Sequence, residues 1–95
     1  MQIYGTESIL HKIETTHGVT LIEIEEAFFL HKGHWLIDDR GRNKTTPPTV
    51  WFIGETSTGR LLKIVIIPYI DKGICVLRTA YEPDLKEVSL YEQNN

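Results

Sequence analysis

Three cations interrupt the apolar second half of this sequence. Arg60 opens the run RLLKIVIIPYI, Lys63 lies within it, and Arg78 lies within ICVLRTAY. A charged side chain in an apolar strand must reach solvent, pair with an opposite charge or hold a ligand. If neighbouring strands bring these cations together, they can offset the charge that develops on a phosphate. Two observations limit this hypothesis: Arg60 and Lys63 point to opposite faces of an ideal strand, and Arg78 could instead pair with Glu55 or Glu82.

The histidines could support other chemistry. His17, beside Gly18, is either a catalytic histidine or part of the joint between two helices. The joint is the favoured interpretation, because a histidine at a helix C-terminus interacts well with the last carbonyls and with the negative end of the dipole. His31 and His34 form an H-x-x-H pattern, but no cysteine pair or carboxylate cluster follows to complete a four-ligand site. We predict no metal and no cofactor.

The remaining reactive groups offer no catalytic motif. Cys75 is the single cysteine and lies in an apolar run, which predicts a buried, reduced thiol in a cytoplasmic protein. The segment GETSTGR superficially resembles a phosphate-binding loop, but it lacks the lysine and lies between two strand-like runs. We therefore predict a hairpin there.

The first third of the chain predicts two consecutive helices. The first runs over about residues 7–16 and ends at Gly18, where a left-handed conformation is needed. Thr20 and Glu23 then form the T-x-x-E capping box of a second helix, whose apolar residues repeat at helical spacing. Residues 14–29 are therefore predicted to form a tight helix–turn–helix joint.

The rest of the chain predicts strands and a closing helix. Four segments are strand-like, HWLID, TVWFIGE, RLLKIVIIPYI and ICVLRTAY, and the third is apolar on both faces, as expected of a central strand. Pro83 fits the first turn of a last helix that turns Leu85, Val88 and Tyr91 inward. We predict one α+β domain over residues 1–95, with two N-terminal helices, about four antiparallel strands and a C-terminal helix. All helices are expected on one sheet face, so the other face needs a homodimer or a bound partner.

Charge is unevenly distributed along the chain. The formal net charge is −3, but residues 1–38 carry −4, residues 39–63 carry +3 and the remainder carries −2. The basic middle contains Arg40, Arg42 and Lys44, which are candidate RNA-binding residues; the alternative is an ordinary solvated loop. The net negative charge argues against non-specific binding of nucleic acid by the whole surface. No apolar run reaches the length of a membrane span, so we predict no membrane partner.

Several segments together resemble the BrnT family of toxins. KIETTHGVTLIEIEEAFF resembles the opening helices of that family, with their His-Gly-hydrophobic turn. WFIGETSTGRLLKIVII resembles its central hairpin, in which a Gly-x-Thr/Ser segment and a Gly-Arg pair lead into a hydrophobic strand. RTA and EVSLYE resemble the R-x-A strand end and the final helix. The resemblance covers nearly the full length of the chain.

This resemblance implies a RelE-like fold and a toxin of a type II toxin–antitoxin system. Such toxins are metal-independent ribonucleases that inhibit translation, and a DNA-binding, BrnA-like antitoxin neutralises them. At matching positions, Arg60 and Arg78 would be the catalytic cations, and the strand pattern adds Lys63. The alternative is a non-catalytic interaction domain of the same fold that acts through dimer or partner contacts, and the acidic closing helix favours it.

Overall fold

The computed structural model describes residues 1–38 and 45–94. The elements follow in the order β1 (Gln2–Tyr4), α1 (Glu7–His17), α2 (Leu21–Leu30), β2 (Leu36–Ile37), β3 (Val50–Glu55), β4 (Leu61–Tyr69), β5 (Ile74–Tyr81) and α3 (Leu85–Gln93), with a 3-10 turn at Ile70–Lys72. The predicted α+β class is confirmed, with two N-terminal helices and a C-terminal helix. None of the helices in the described ranges has the length and apolarity that crossing a membrane requires.

The sheet has five strands in the order β1-β5-β4-β3-β2, so the long apolar strand β4 is central, as predicted. Strands β2 to β5 pair antiparallel, but β1 pairs parallel with β5. The sheet is therefore mixed rather than purely antiparallel. The sequence did not predict β1 because three residues are too few to show an alternating pattern.

The joint between α1 and α2 forms as predicted. Gly18 has a φ of +64° and its N–H donates to the Glu14 carbonyl, which closes α1. Thr20 and Glu23 exchange the two hydrogen bonds of a capping box at the start of α2. Val19, between these two devices, is buried, which fixes the angle between the helices.

The helices cover both faces of the sheet, so the prediction of a single covered face is wrong. On one face, Phe52 packs against Phe28 of α2, with their ring centroids 6.2 Å apart. Strand residues alternate between faces, and the neighbouring Trp51 packs against Tyr91 of α3, at 5.7 Å. On that second face β4 is already buried, which removes the reason to expect a dimer there.

Helix α3 begins at Leu85, two residues after Pro83, which the sequence placed in its first turn. Asp84 is the N-cap and forms a capping box with Glu87, so Pro83 precedes the helix. Tyr91 is buried and Val88 packs against the core, as predicted. The inward orientation predicted for Leu85 is wrong, since this residue is 87% exposed at the first helical position.

Candidate functional site

Arg60 connects three parts of the fold. It immediately precedes β4, and its Nη1 donates to Glu23 Oε2 at 2.9 Å and to the Gly18 carbonyl at 3.1 Å. Its Nε donates to Glu82 Oε1 at 2.7 Å. The hydrogen bond with Glu23 raises the pKa of Arg60 and lowers that of the Glu23 carboxyl. The guanidinium therefore joins the α1–α2 joint to the end of β5, and two carboxylates neutralise its charge.

Lys63 is also paired, on the sheet face that α3 covers. Its Nζ lies 2.6 Å from Glu87 Oε2 and 4.5 Å from the centre of the Trp51 ring. Burial alone would lower the pKa of Lys63, but its interactions with Glu87 and Tyr81 outweigh that effect and raise it. Likewise, burial alone would raise the pKa of Glu87, but hydrogen bonds from Lys63, Asp84 and Tyr81 lower it. The lysine thus holds α3 against the sheet.

Arg78 is in a different situation from the other two cations. Val65 of β4 pairs with Thr79, whereas the next residue, Ile66, pairs with Leu77. Arg78 is therefore the extra residue of a β-bulge, a device that redirects a side chain away from the regular ladder. It is exposed, and within residues 1–38 and 45–94 it makes no hydrogen bond or ion pair. The predicted alternative of an ion pair is not observed for Glu82, which binds Arg60 instead.

Arg78 lines a small groove of about 130 Å³ between α1 and β5. This α1–β5 groove is formed by Ile9, Lys12, Ile13, His17, Arg78 and Thr79. The groove therefore brings together an arginine, a lysine and a histidine, all of them exposed. It contains one of the three predicted catalytic cations, and its lining does not include Arg60 or Lys63.

His17 is held by an aromatic contact rather than by a hydrogen bond. Its ring lies 5.4 Å from the Tyr81 ring, and the Tyr81 hydroxyl donates to Glu87 Oε2 at 2.9 Å. Among the described residues, His17 donates to no carbonyl at the end of α1; Gly18 closes the helix instead. The imidazole nitrogens are therefore available to a molecule in the groove.

Two other regions bring polar side chains together. A larger groove, of about 480 Å³, lies beside α3 above Trp51 and Lys63, but its lysine is already paired with Glu87. After α2, the His31 ring packs on Phe52 at 4.3 Å and its Nε2 lies 3.1 Å from the Tyr91 hydroxyl. In the described ranges, no three potential metal ligands come together.

The remaining predicted functional groups, the thiol and the basic loop residues, add nothing to the candidate site. Cys75 is buried, as predicted, and burial raises the pKa of its thiol, which disfavours a nucleophilic role. The candidate RNA-binding residues Arg40, Arg42 and Lys44 lie outside the described residues.

Lys12 is not among the site residues that the sequence predicts. A signal was present: Ile9, Ile13 and His17 repeat every four residues along α1, and Lys12 lies three residues after Ile9, on the same side of the helix. What the sequence could not give is the bulge that turns Arg78 toward them. Comparison of the chain with protein-family models, curated proteins and solved structures found no match.

Proposed function

We propose that this chain is a BrnT-like toxin of a type II toxin–antitoxin system, a metal-independent ribonuclease that inhibits translation. The observation that carries the proposal is the α1–β5 groove, where Lys12, His17 and Arg78 line one open surface. Ribonuclease chemistry without a metal needs a group that moves protons and cations that stabilise the phosphate. The groove supplies both, and the resemblance of the sequence to BrnT toxins supports the same chemistry.

In this proposal His17 takes the proton from a ribose 2′-hydroxyl, and the 2′-oxygen attacks the adjacent phosphorus. The bond from phosphorus to the 5′-oxygen breaks, and the leaving oxygen takes a proton from water. His17 then releases the proton that it took to solvent. The products are a 2′,3′-cyclic phosphate and a 5′-hydroxyl. Arg78 and Lys12 donate hydrogen bonds to the non-bridging oxygens, whose negative charge increases in the transition state.

The proposal gives Arg60 and Lys63 structural roles in place of the predicted catalytic ones. Arg60 holds the α1–α2 joint, on which the position of His17 depends, and Lys63 shares Glu87 with Tyr81, the residue that contacts His17. Both cations would therefore affect catalysis through the shape of the groove. Arg40, Arg42 and Lys44 are proposed to contact RNA. The proposed setting is the cytoplasm, where a BrnA-like antitoxin neutralises the toxin.

The test is cleavage of RNA by the purified protein in the presence of a chelator. Arg78→Ala and His17→Gln should each reduce the cleavage rate about 100-fold or more, because each removes a group that acts in the transition state. Both variants should melt like the unmutated protein, since exposed side chains contribute little to stability. Lys86→Ala, which removes an exposed cation from α3, is the matched control and should cleave normally.

Two results would count against this assignment. Full cleavage by a well-folded Arg78→Ala protein would remove Arg78 from the site. Full cleavage by His17→Gln would return His17 to the role of a helix-end residue.

The second candidate function is a non-catalytic interaction domain that acts through dimer or partner contacts. It is favoured by the carboxylates that neutralise Arg60 and Lys63. No RNA cleavage by the unmutated protein, together with no growth arrest when the chain is expressed alone, would favour this alternative. Growth arrest that is relieved by co-expression of a BrnA-like antitoxin from a neighbouring reading frame would favour the toxin.

A further inference from the structure

Helix α2 is apolar on two opposite sides. Its inner side carries Ile24 and Ala27, which are completely buried against the sheet. On its outer side, Ile22 and Phe29 are 68% and 60% exposed, and they lie seven residues apart, which is about two helical turns. Glu25 and Glu26 lie between them. We call Ile22, Glu25, Glu26 and Phe29 the outer stripe of α2.

The helix cannot bury its outer stripe by rotating on the sheet. Gly54 of β3 allows the Ala27 backbone to approach so closely that a Cβ at this glycine would lie 2.6 Å from the Ala27 carbonyl oxygen. Glu26 additionally accepts from the Ser57 hydroxyl at 2.9 Å. The inner side is thus fixed, and Ser57 holds Glu26 at one edge of the outer stripe. Ile22, Glu25 and Phe29 stay available to another molecule.

Phe29 is suited to anchor such a molecule. Its ring packs edge-on against Phe28, with centroids 5.1 Å apart and planes at 79°. Because this contact restrains the ring in advance, a partner loses less conformational entropy on binding it. Rigid aromatic side chains of this kind supply much of the binding free energy at protein interfaces.

The acidic residues select the partner. A second copy docked stripe to stripe would bring Glu25 and Glu26 against the same carboxylates of its partner, and like charges in an interface are unfavourable. RNA and anionic membranes are disfavoured for the same reason. A helix with two apolar residues seven positions apart, flanked by lysine or arginine, matches both the apolar and the charged residues of the stripe.

We propose that the outer stripe of α2 is a docking surface for a basic amphipathic helix of a partner protein. The proposal does not depend on ribonuclease activity, because the outer stripe shares no residue with the α1–β5 groove.

The experiment measures binding of two labelled helical peptides to the full chain by fluorescence anisotropy. Both are about 14 residues long, enough for roughly four turns, and carry two leucines seven positions apart. One has lysines flanking the leucines and the other has glutamates. We expect the lysine peptide to bind at least tenfold more tightly than the glutamate peptide. Glu25→Lys should reduce this preference, and Phe29→Ser should weaken the lysine peptide at least tenfold.

Leu85→Ser is the matched control, since Leu85 is an even more exposed apolar residue, on α3. It should bind the lysine peptide like the unmutated chain, and both serine variants should keep the original melting temperature. Equal affinity for the two peptides, or equal affinity of the Phe29→Ser and Leu85→Ser variants, would overturn the proposal. So would a dimer in sedimentation that Phe29→Ser abolishes, or Phe29-dependent binding to phosphatidylglycerol vesicles.

Discussion

At the scale of single residues, the three cations in the apolar strands differ in what surrounds them. Arg60 and Lys63 each lie within 3 Å of a carboxylate, whereas Arg78 is turned out of the ladder by a bulge and faces solvent. A paired cation mainly contributes to the fold, because its charge is already offset. An unpaired, exposed cation contributes little to the fold and remains able to bind an anion. Replacing a paired cation should therefore lower the free energy of unfolding more than replacing an unpaired one.

Replacing Arg60 tests this expectation. Arg60→Ala removes hydrogen bonds to Glu23, Glu82 and the Gly18 carbonyl, so we expect it to lower the free energy of unfolding by about 1–2 kcal/mol. Arg78→Ala should change it by less than about 0.5 kcal/mol. Urea unfolding of both variants measures the difference. Equal destabilisation by the two substitutions would contradict the structural role of Arg60.

At the scale of elements, the approach of α2 to the sheet depends on one glycine. Gly54→Ala places a Cβ 2.6 Å from the Ala27 carbonyl oxygen, so the helix must move away from β3. We expect a loss of about 2 kcal/mol or more, as for other overpacked cores. Gly18→Ala meets no atom within 4 Å and should cost only about 1 kcal/mol, the strain of a positive φ. Thermal and urea unfolding measure the loss of stability in each variant. A smaller loss for Gly54→Ala than for Gly18→Ala would contradict this packing.

Helix α3 is held to the rest of the fold by two polar clusters that respond to acid. Burial lowers the pKa of His31, which lies beside the Tyr91 hydroxyl, and contacts with nearby carbonyls offset this only in part. The second cluster is the Glu87 carboxylate with Lys63 and Tyr81, and the pKa of Glu87 is also lowered. Each group therefore binds its proton more weakly in the folded chain than in the unfolded chain.

A lowered pKa stabilises the fold fully above the ordinary value, and this contribution is lost as the pH falls through the folded value. We expect stability to decline first below the ordinary histidine value of 6.5 and again below the ordinary carboxyl value of 4.5. Urea unfolding across this pH range measures the decline. His31→Gln should reduce the loss of stability below pH 6.5, and Glu87→Gln should reduce the loss below pH 4.5. Unchanged slopes in both variants would show that other groups control the acid response.

The sequence predicts elements well where one local signal determines them. The α1–α2 joint follows from Gly18 and the capping box, and the central position of β4 follows from a run that is apolar on both faces. The predictions that failed concern features that depend on contacts between distant parts of the chain. The face on which α3 packs is set by contacts between distant residues, among them Lys63 and Glu87, 24 residues apart. The candidate site depends on a bulge between β4 and β5, and no local sequence pattern marks it.

At the scale of the whole molecule, charge limits how RNA can bind. The net charge of −3 repels a polyanion, so binding depends on cations that are not paired with carboxylates. In the α1–β5 groove, Lys12 and Arg78 are such cations, since neither pairs with a carboxylate of residues 1–38 or 45–94. The basic loop residues Arg40, Arg42 and Lys44 would add to them if they contact phosphates.

Salt dependence can count these contacts. A fully 2′-O-methylated RNA is a suitable probe, because it has no free 2′-hydroxyl and cannot be cleaved. Each phosphate contact to a single strand contributes a slope of about −0.7 to the plot of log affinity against log salt. Two contacts in the groove predict a slope of about −1.4, and Arg78→Ala should halve it. A steeper slope in the unmutated protein would indicate further contacts. If an Arg40/Arg42/Lys44→Ala variant restores a slope of about −1.4, these loop residues also contact the RNA. No binding at about 50 mM salt would contradict both the groove and the loop as RNA sites.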